Sequence, residues 1–416
     1  MADARLATGI APGCRWRPPR PSRCDAASHL TPGGAMTTYE QSSEADVTTV
    51  AAAQAARVPA FGRATPVVTV AVIFAVSVVS WWLLADPRWS LTGASAPVVS
   101  CVLFWTILGC LFTGFTFANW PFSTLPQPVA GLAQVTATVM IGVGATLLFT
   151  RGVGSWDPTF SAETGGGAGY TATAFIVLVG FYAFTLASAS WGGYPFESVS
   201  APLASVGQFF VGAFITLVGV VVLVYPNFNA QLAANAPILL PDALGWAYSS
   251  IVVAIVAAMQ WQNWPWAGIG NRHARALVAL VATLGGGYLL KLALEAVVRA
   301  VVPAGIEALP TFSAAVESAQ LGVCFSLWAL IVGLLFAPGE SGSVGVSRAA
   351  RTALVAVLAI TTYVVFTRFL ATSVLHFPAI KGSYGGDPLA FIDWTILIVL
   401  WHAVAFGGHF ATRKSA

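Results

Sequence analysis

Apolar residues in this chain run in long blocks, separated by short stretches rich in proline, glycine, serine and charge. A helix needs about 20 apolar residues to cross the ~30 Å hydrocarbon core of a bilayer. Ten blocks meet that length, at 66–85, 97–117, 129–150, 170–190, 203–225, 243–261, 276–298, 312–336, 352–373 and 389–406. Several are rich in Val, Ile and Thr, which favour strands in water. Backbone groups in lipid can bond only to one another, so each block is expected to be a helix. The expected fold is an all-α polytopic membrane protein of about ten transmembrane helices.

A longer period lies over the blocks. The second ends in Asn119-Trp120-Pro121-Phe122-Ser123, the fourth in Gly193-Tyr194-Pro195-Phe196-Glu197, the sixth in Asn263-Trp264-Pro265-Trp266 and the eighth in Leu335-Phe336-Ala337-Pro338. The prolines stand 74, 70 and 73 residues apart. Aromatic residues favour the headgroup layer and proline stops a helix, so this pair alone says little. Pro128, Ala130 and Gln134 also match Pro202, Ala204 and Gln208 at the same offset of 74. The unit is therefore read as a helical hairpin of about 70 residues, repeated five times in one orientation. An inverted repeat would relate the loop after the second block to the loop after the seventh, and these do not match.

Composition agrees. Of 416 residues, 57% are hydrophobic and 8% charged. A water-facing surface usually needs about 25% charged residues. The main partner is therefore the lipid bilayer. A net charge of +3 is too small to suggest nucleic acid.

The short loops set the orientation. One side carries Arg57, Arg63, Arg272, Arg275, Arg348, Arg351, Arg413 and Lys414, and the other Arg88, Arg151, Arg299 and Lys381. Positive charge stays inside, so both termini are expected in the cytoplasm and the chain in the plasma membrane. Residues 1–60 hold Arg15, Arg17, Pro18, Pro19, Arg20, Pro21 and Arg23 and then a Ser/Thr/Glu stretch. They cannot bury a core and read as a disordered cytoplasmic tail before the ten-helix domain at 61–416. Met36 opens a more ordinary polar start, and translation from there would leave residues 1–35 unmade. Cys14, Cys24, Cys101, Cys110 and Cys324 form no metal-ligand or disulfide pattern.

Intramembrane polar residues carry the candidate chemistry. They gather in the last four blocks: Lys291, Glu295 and Arg299 on the seventh, Glu317, Gln320 and Cys324 on the eighth, Arg368 and then His376 on the ninth, Asp393 on the tenth. All fall in the outer half of the bilayer. A charge at the bilayer centre costs about 2.5–3.5 kcal/mol, so such residues face the bundle interior and find partners or solutes. The expected binding set is Lys291, Glu295, Glu317, Gln320, Arg368 and Asp393. Lys291 and Arg368 would attract a solute, while Glu295, Glu317 and Asp393 balance charge or carry protons. The structural alternative pairs Lys291 or Arg299 with Glu317, and Arg368 with Asp393. Gly285, Gly286 and Gly287 would form a hinge that loosens the seventh helix, or else a point of close packing. His402 and His409 share a helix face and are weak metal candidates; His409 could meet His273, but an interfacial or hydrogen-bonding role is favoured, so no metal and no cofactor is expected. Gln134, Gln208, Gln260 and Gln262 read as interhelical hydrogen bonders.

No phosphate-binding loop, nucleophile elbow or zinc-protease motif occurs, and the loops are too short for a catalytic domain. The favoured function is a transporter or facilitator of a small polar or anionic solute, with its site in the outer half of helices seven to ten, rather than an enzyme. The alternatives are a membrane anchor or assembly subunit of a larger complex, whose protein partners the sequence does not name, and a membrane-embedded redox or enzyme subunit.

Overall fold

The structure is a computed structural model that describes residues 57–59, 64–86, 88–196, 198–336, 344–376 and 388–414. The expected tail up to residue 56, the alternative start at Met36, the eighth-block motif at Pro338 and Lys381 lie outside the described residues.

The chain is helical. Nine helices are long and apolar enough to span a membrane among the described residues: α1 (Thr65–Leu84), α2 (Ala96–Thr116), α3 (Val129–Ser155), α4 (Gly165–Ser190), α5 (Pro202–Phe228), α6 (Leu240–Gln260), α7 (Arg272–Val301), α8 (Ala314–Leu335) and α9 (Val346–Ser373). A tenth, α10 (Leu389–Ala405), is shorter. At ~1.5 Å per residue it still covers most of a bilayer core. Arg57–Pro59 pairs antiparallel with Thr412–Lys414 in a two-stranded ribbon. The start of α1 and the end of α10 therefore lie on one side, which requires an even number of crossings and makes α10 a span.

The even-numbered helices all run in one direction, and their packing closes a ring: α2 on α4, α4 on α6, α6 on α8, α8 on α10 and α10 on α2. The odd-numbered helices stand outside it, with α1 against α10, α3 against α2, α5 against α4, α7 in the groove between α6 and α8, and α9 against α8. Burial follows the same alternation. The apolar windows of α2, α4, α6 and α8 are 56–83% buried, and those of the five odd helices 11–28%.

Lipid supplies no hydrophobic force between helices, so close contact must hold the rings together, and small residues permit it. A Cβ on Gly142 of α3 would stand 2.1 Å from the Thr106 hydroxyl of α2. One on Gly287 of α7 would stand 2.2 Å from the Ser250 hydroxyl and 2.7 Å from its Cα on α6. Hydroxyls inside the helices satisfy themselves on the carbonyl one turn back, as Thr283 does on Ala279 at 2.7 Å and Thr395 on Phe391 at 3.0 Å.

One backbone turn recurs where even-numbered helices end. The last turn widens so that an N–H reaches back five residues: Phe117 to Phe112, Trp191 to Leu186, Trp261 to Val256 and Phe406 to Trp401, at 2.9–3.1 Å. Two residues at positive φ follow: Ala118 and Asn119, Gly192 and Gly193, Gln262 and Asn263, Gly407 and Gly408. Glycine and asparagine tolerate that region best, which explains six of these eight residues. The N–H of the next residue then closes on the first, as Trp120 does on Phe117 and His409 on Phe406, both at 2.9 Å. In three of these turns the aromatic–proline bond that follows is cis. The turn after α10 has His409 and Phe410 in its place, so the aromatic–proline pattern does not disclose it.

Candidate functional site

All five even-numbered helices line two small cavities on the axis of the ring. The first, about 20 Å³, is bounded by Ile107 of α2, Phe181 of α4, Tyr248 and Ile251 of α6, Ser326 of α8 and Asp393 and Ile396 of α10, among others. The second, about 30 Å³, is bounded by Leu111, Phe181, Ser188, Ile255, Leu330 and Leu400, among others. Ile107 and Leu111, Ile251 and Ile255, Ser326 and Leu330, and Ile396 and Leu400 are each four residues apart. The second cavity thus lies one helical turn, about 5–6 Å, further along every helix than the first. Phe181 touches both. The cavities are stacked, with the first nearer the side away from the termini.

Two carboxylates are buried within the helices of the half of the bundle away from the termini. Asp393 is 6% exposed, and its Oδ2 accepts a hydrogen bond from the Tyr248 hydroxyl at 2.8 Å. Glu317 is 2% exposed, and its Oε2 accepts from the Tyr363 hydroxyl of α9 at 2.6 Å. The first bond ties α6 to α10, the second α8 to α9. Hydrogen bonds to an ionised acceptor are short and strong, which lets a carboxylate stay this deep. Gln320 Oε1, one turn from Glu317, and Ser326 Oγ at the first cavity are buried without a hydrogen-bond partner among the described residues. Asp393 is the acidic side chain that faces the axis.

Lys291 and Glu295 belong to a separate cluster. The Lys291 ammonium lies 2.6 Å from Asp242 at the start of α6 and 2.5 Å from Glu295 one turn along α7. The Lys291 stem is buried beside Gly245, and its charge reaches toward the half-exposed Asp242, as a snorkelling lysine does. The expected pairing of Lys291 or Arg299 with Glu317 is not what forms. Arg299 instead binds Glu307 at 3.0 Å, with the arginine side chain largely exposed and Glu307 partly so. Residues 242 and 307 sit at helix ends near headgroup level, where a carboxylate costs less than it does inside. Arg368 is exposed on α9, and neither it nor Lys291 borders the axial cavities.

The three glycines do not interrupt α7, which is helical from Arg272 to Val301. Gly287 is the packing residue against Ser250, while a Cβ on Gly285 would meet nothing. His402 lies on the outer side of α10 in an apolar groove of about 500 Å³ against α1, with Nε2 unpartnered among the described residues. Among the described residues, no three His, Cys, Asp or Glu side chains gather as a metal-ligand set. Gln134 does bridge helices, donating to Thr113 and Asn119 at 3.0 Å each. Gln260 is buried with both amide atoms unpartnered among the described residues.

Tyr248, Tyr363, Ser326 and Phe181 escape a reading that follows charge alone. Two of them stand on the first six helices, which look like apolar scaffold. The available signal was a tyrosine hydroxyl in mid-membrane, which needs a partner when buried.

No protein-family model matches the chain, and no curated protein or solved structure is similar to it.

Proposed function

We propose that this multi-pass protein is a plasma-membrane facilitator whose route is the axis of the inner ring. It passes a small polar solute that is neutral or cationic. The observation that carries the reading is the carboxylate of Asp393, buried and facing a cavity to which all five even-numbered helices contribute. A carboxylate inside a membrane protein is expensive and marks solute pathways and proton relays. Asp393 with Tyr248 and Ser326 supplies a negative charge, a phenolic oxygen and a hydroxyl at one point on the path. These groups suit a donor-rich solute such as an ammonium ion or a small amide. The cationic side chains first considered for an anionic solute stand off this axis, and Lys291 is held by Asp242 and Glu295. Eight Lys and Arg residues against four support a cytoplasmic side for the termini and the second cavity.

The test is flux into vesicles reconstituted with the full chain, using ammonium, methylammonium, potassium, urea and glycerol. At least one should cross faster than into empty vesicles. Asp393→Asn should slow that flux about tenfold, the size of effect expected from losing about 1.4 kcal/mol of favourable interaction. Arg299→Gln should leave it unchanged. Flux equal to that of empty vesicles for every probe would overturn the reading.

A further inference from the structure

We infer that Phe181 is the gate of this pathway, a ring that separates the two axial cavities when closed and swings aside for passage; the inference rests on the axial route proposed above. Among the residues lining the two cavities, Phe181 alone lines both. Where the two cavities adjoin, the other four inner helices contribute the aliphatic side chains of Ile107 and Leu111, Ile251 and Ile255, Ile396 and Leu400, and Leu330, while α2 also adds Phe104 to the first cavity and Phe115 to the second. Polar groups lie to either side of this girdle, Asp393, Tyr248 and Ser326 in the first cavity and Thr185 and Ser188 in the second. An apolar constriction between two wettable chambers blocks ions and polar solutes by excluding water.

The moving part is the side chain, not the helix. A Cβ on the neighbouring Gly180 would already stand 3.2 Å from Leu108 of α2 and 3.5 Å from Thr216 of α5, so the backbone of α4 is held from both sides here. A phenylalanine side chain, by contrast, turns about two bonds. The cavities are also narrow. Room for one water requires about 10–15 Å³, so chambers of about 20 and 30 Å³ hold one or two waters each. What passes must therefore shed most of its hydration shell, and Asp393 offers a cation oxygen ligation before it meets the ring.

Silver ion tests this directly, because it is a small cation that exchanges the proton of a thiol for a stable silver–sulfur bond. In the full chain with its five cysteines replaced by alanine, a single thiol is placed by Ser188→Cys or by Ser326→Cys. Vesicles in nitrate buffer receive silver from the side bearing the termini, and unreacted thiols are counted afterwards with a fluorescent maleimide in denaturant. With Phe181 in place, the thiol at 188 should react and the thiol at 326 should react at least about tenfold more slowly, as a dewetted constriction requires. Phe181→Ala should bring the two rates together. Phe181→Leu keeps the ring packed should the alanine variant misfold, and should fall between.

Equal reaction at 326 with and without the ring would overturn the gate. So would a thiol at 326 that stays protected in both variants while 188 reacts, and the axial route would then survive as a vestibule alone. If the thiol at 188 reacts from neither side, the axial route itself falls and takes the gate with it.

Discussion

Asp86 and Asp393 show how one residue type serves two purposes in this protein. Asp86 caps the end of α1 with no exposed surface. Its carboxylate accepts from the N–H groups of Arg88 at 2.7 Å and Trp89 at 3.2 Å and from the His376 imidazole at 3.0 Å. Burial pushes its pKa up, but the His376 imidazole and the two backbone N–H groups outweigh that and hold the carboxyl below the usual range. A depressed pKa in the folded state means stability that is full above the ordinary value of about 4 and is lost as pH falls through the depressed one. In detergent, the melting temperature should therefore drop as pH is lowered below about 4, and Asp86→Asn should flatten that part of the profile. An unchanged acid limb in the variant would show that Asp86 is not its source. Asp393 has no such surface position. It stands inside the ring, where its Oδ2 accepts from the Tyr248 phenol, and it borders the first axial cavity.

At the scale of an element, α7 shows how differently its three glycines pack. Its three glycines face three environments. Gly285 points to open space, Gly286 touches Val253, and Gly287 lets the backbone of α6 come within contact of α7. Gly287→Val should wedge the two helices apart and cost about 1–3 kcal/mol, as overpacking of a close contact does. Gly285→Val should cost nothing comparable. Thermal scans of both variants in one detergent check this, and equal losses would mean that close packing at 287 does not hold α7. The recurrent turn after α2, α4, α6 and α10 makes a related point. Its hydrogen bonds are backbone bonds, so the residues that build it vary between Ala-Asn, Gly-Gly and Gln-Asn, and only part of it leaves a mark in the sequence.

At the scale of the whole molecule, the ring closes within one chain, because α10 returns to α2. A route along its axis needs no second copy. In vesicles reconstituted at a mean below one chain each, the fraction that conducts should follow the fraction expected to hold at least one chain. A fraction that followed the square of protein density would instead mean that two chains build the pathway, as a closed symmetric dimer would.

The spans and the positions of their charges were legible in the order of residues, because lipid penalises every unpaired backbone group and every charge it meets. Which helices form the inner ring was not legible. In water, a helix betrays its buried face by its polar face; in a bilayer both faces are apolar and the contrast vanishes. α4 and α5 make the case: their mean hydropathies are 1.9 and 2.4, yet 83% of one window and 11% of the other is buried. The same blindness scattered the candidate site. Charge drew attention to helices seven to ten, and Lys291, Glu317 and Asp393 are indeed buried there. Their partners did not follow from charge, for Asp242 and Tyr248 come from α6 and Tyr363 is a neutral side chain of α9. A sequence determines which groups must find partners in lipid; only the closed ring, which sets α6 beside α8 and α10 beside α2, decides which partners those are and which side chains meet on its axis.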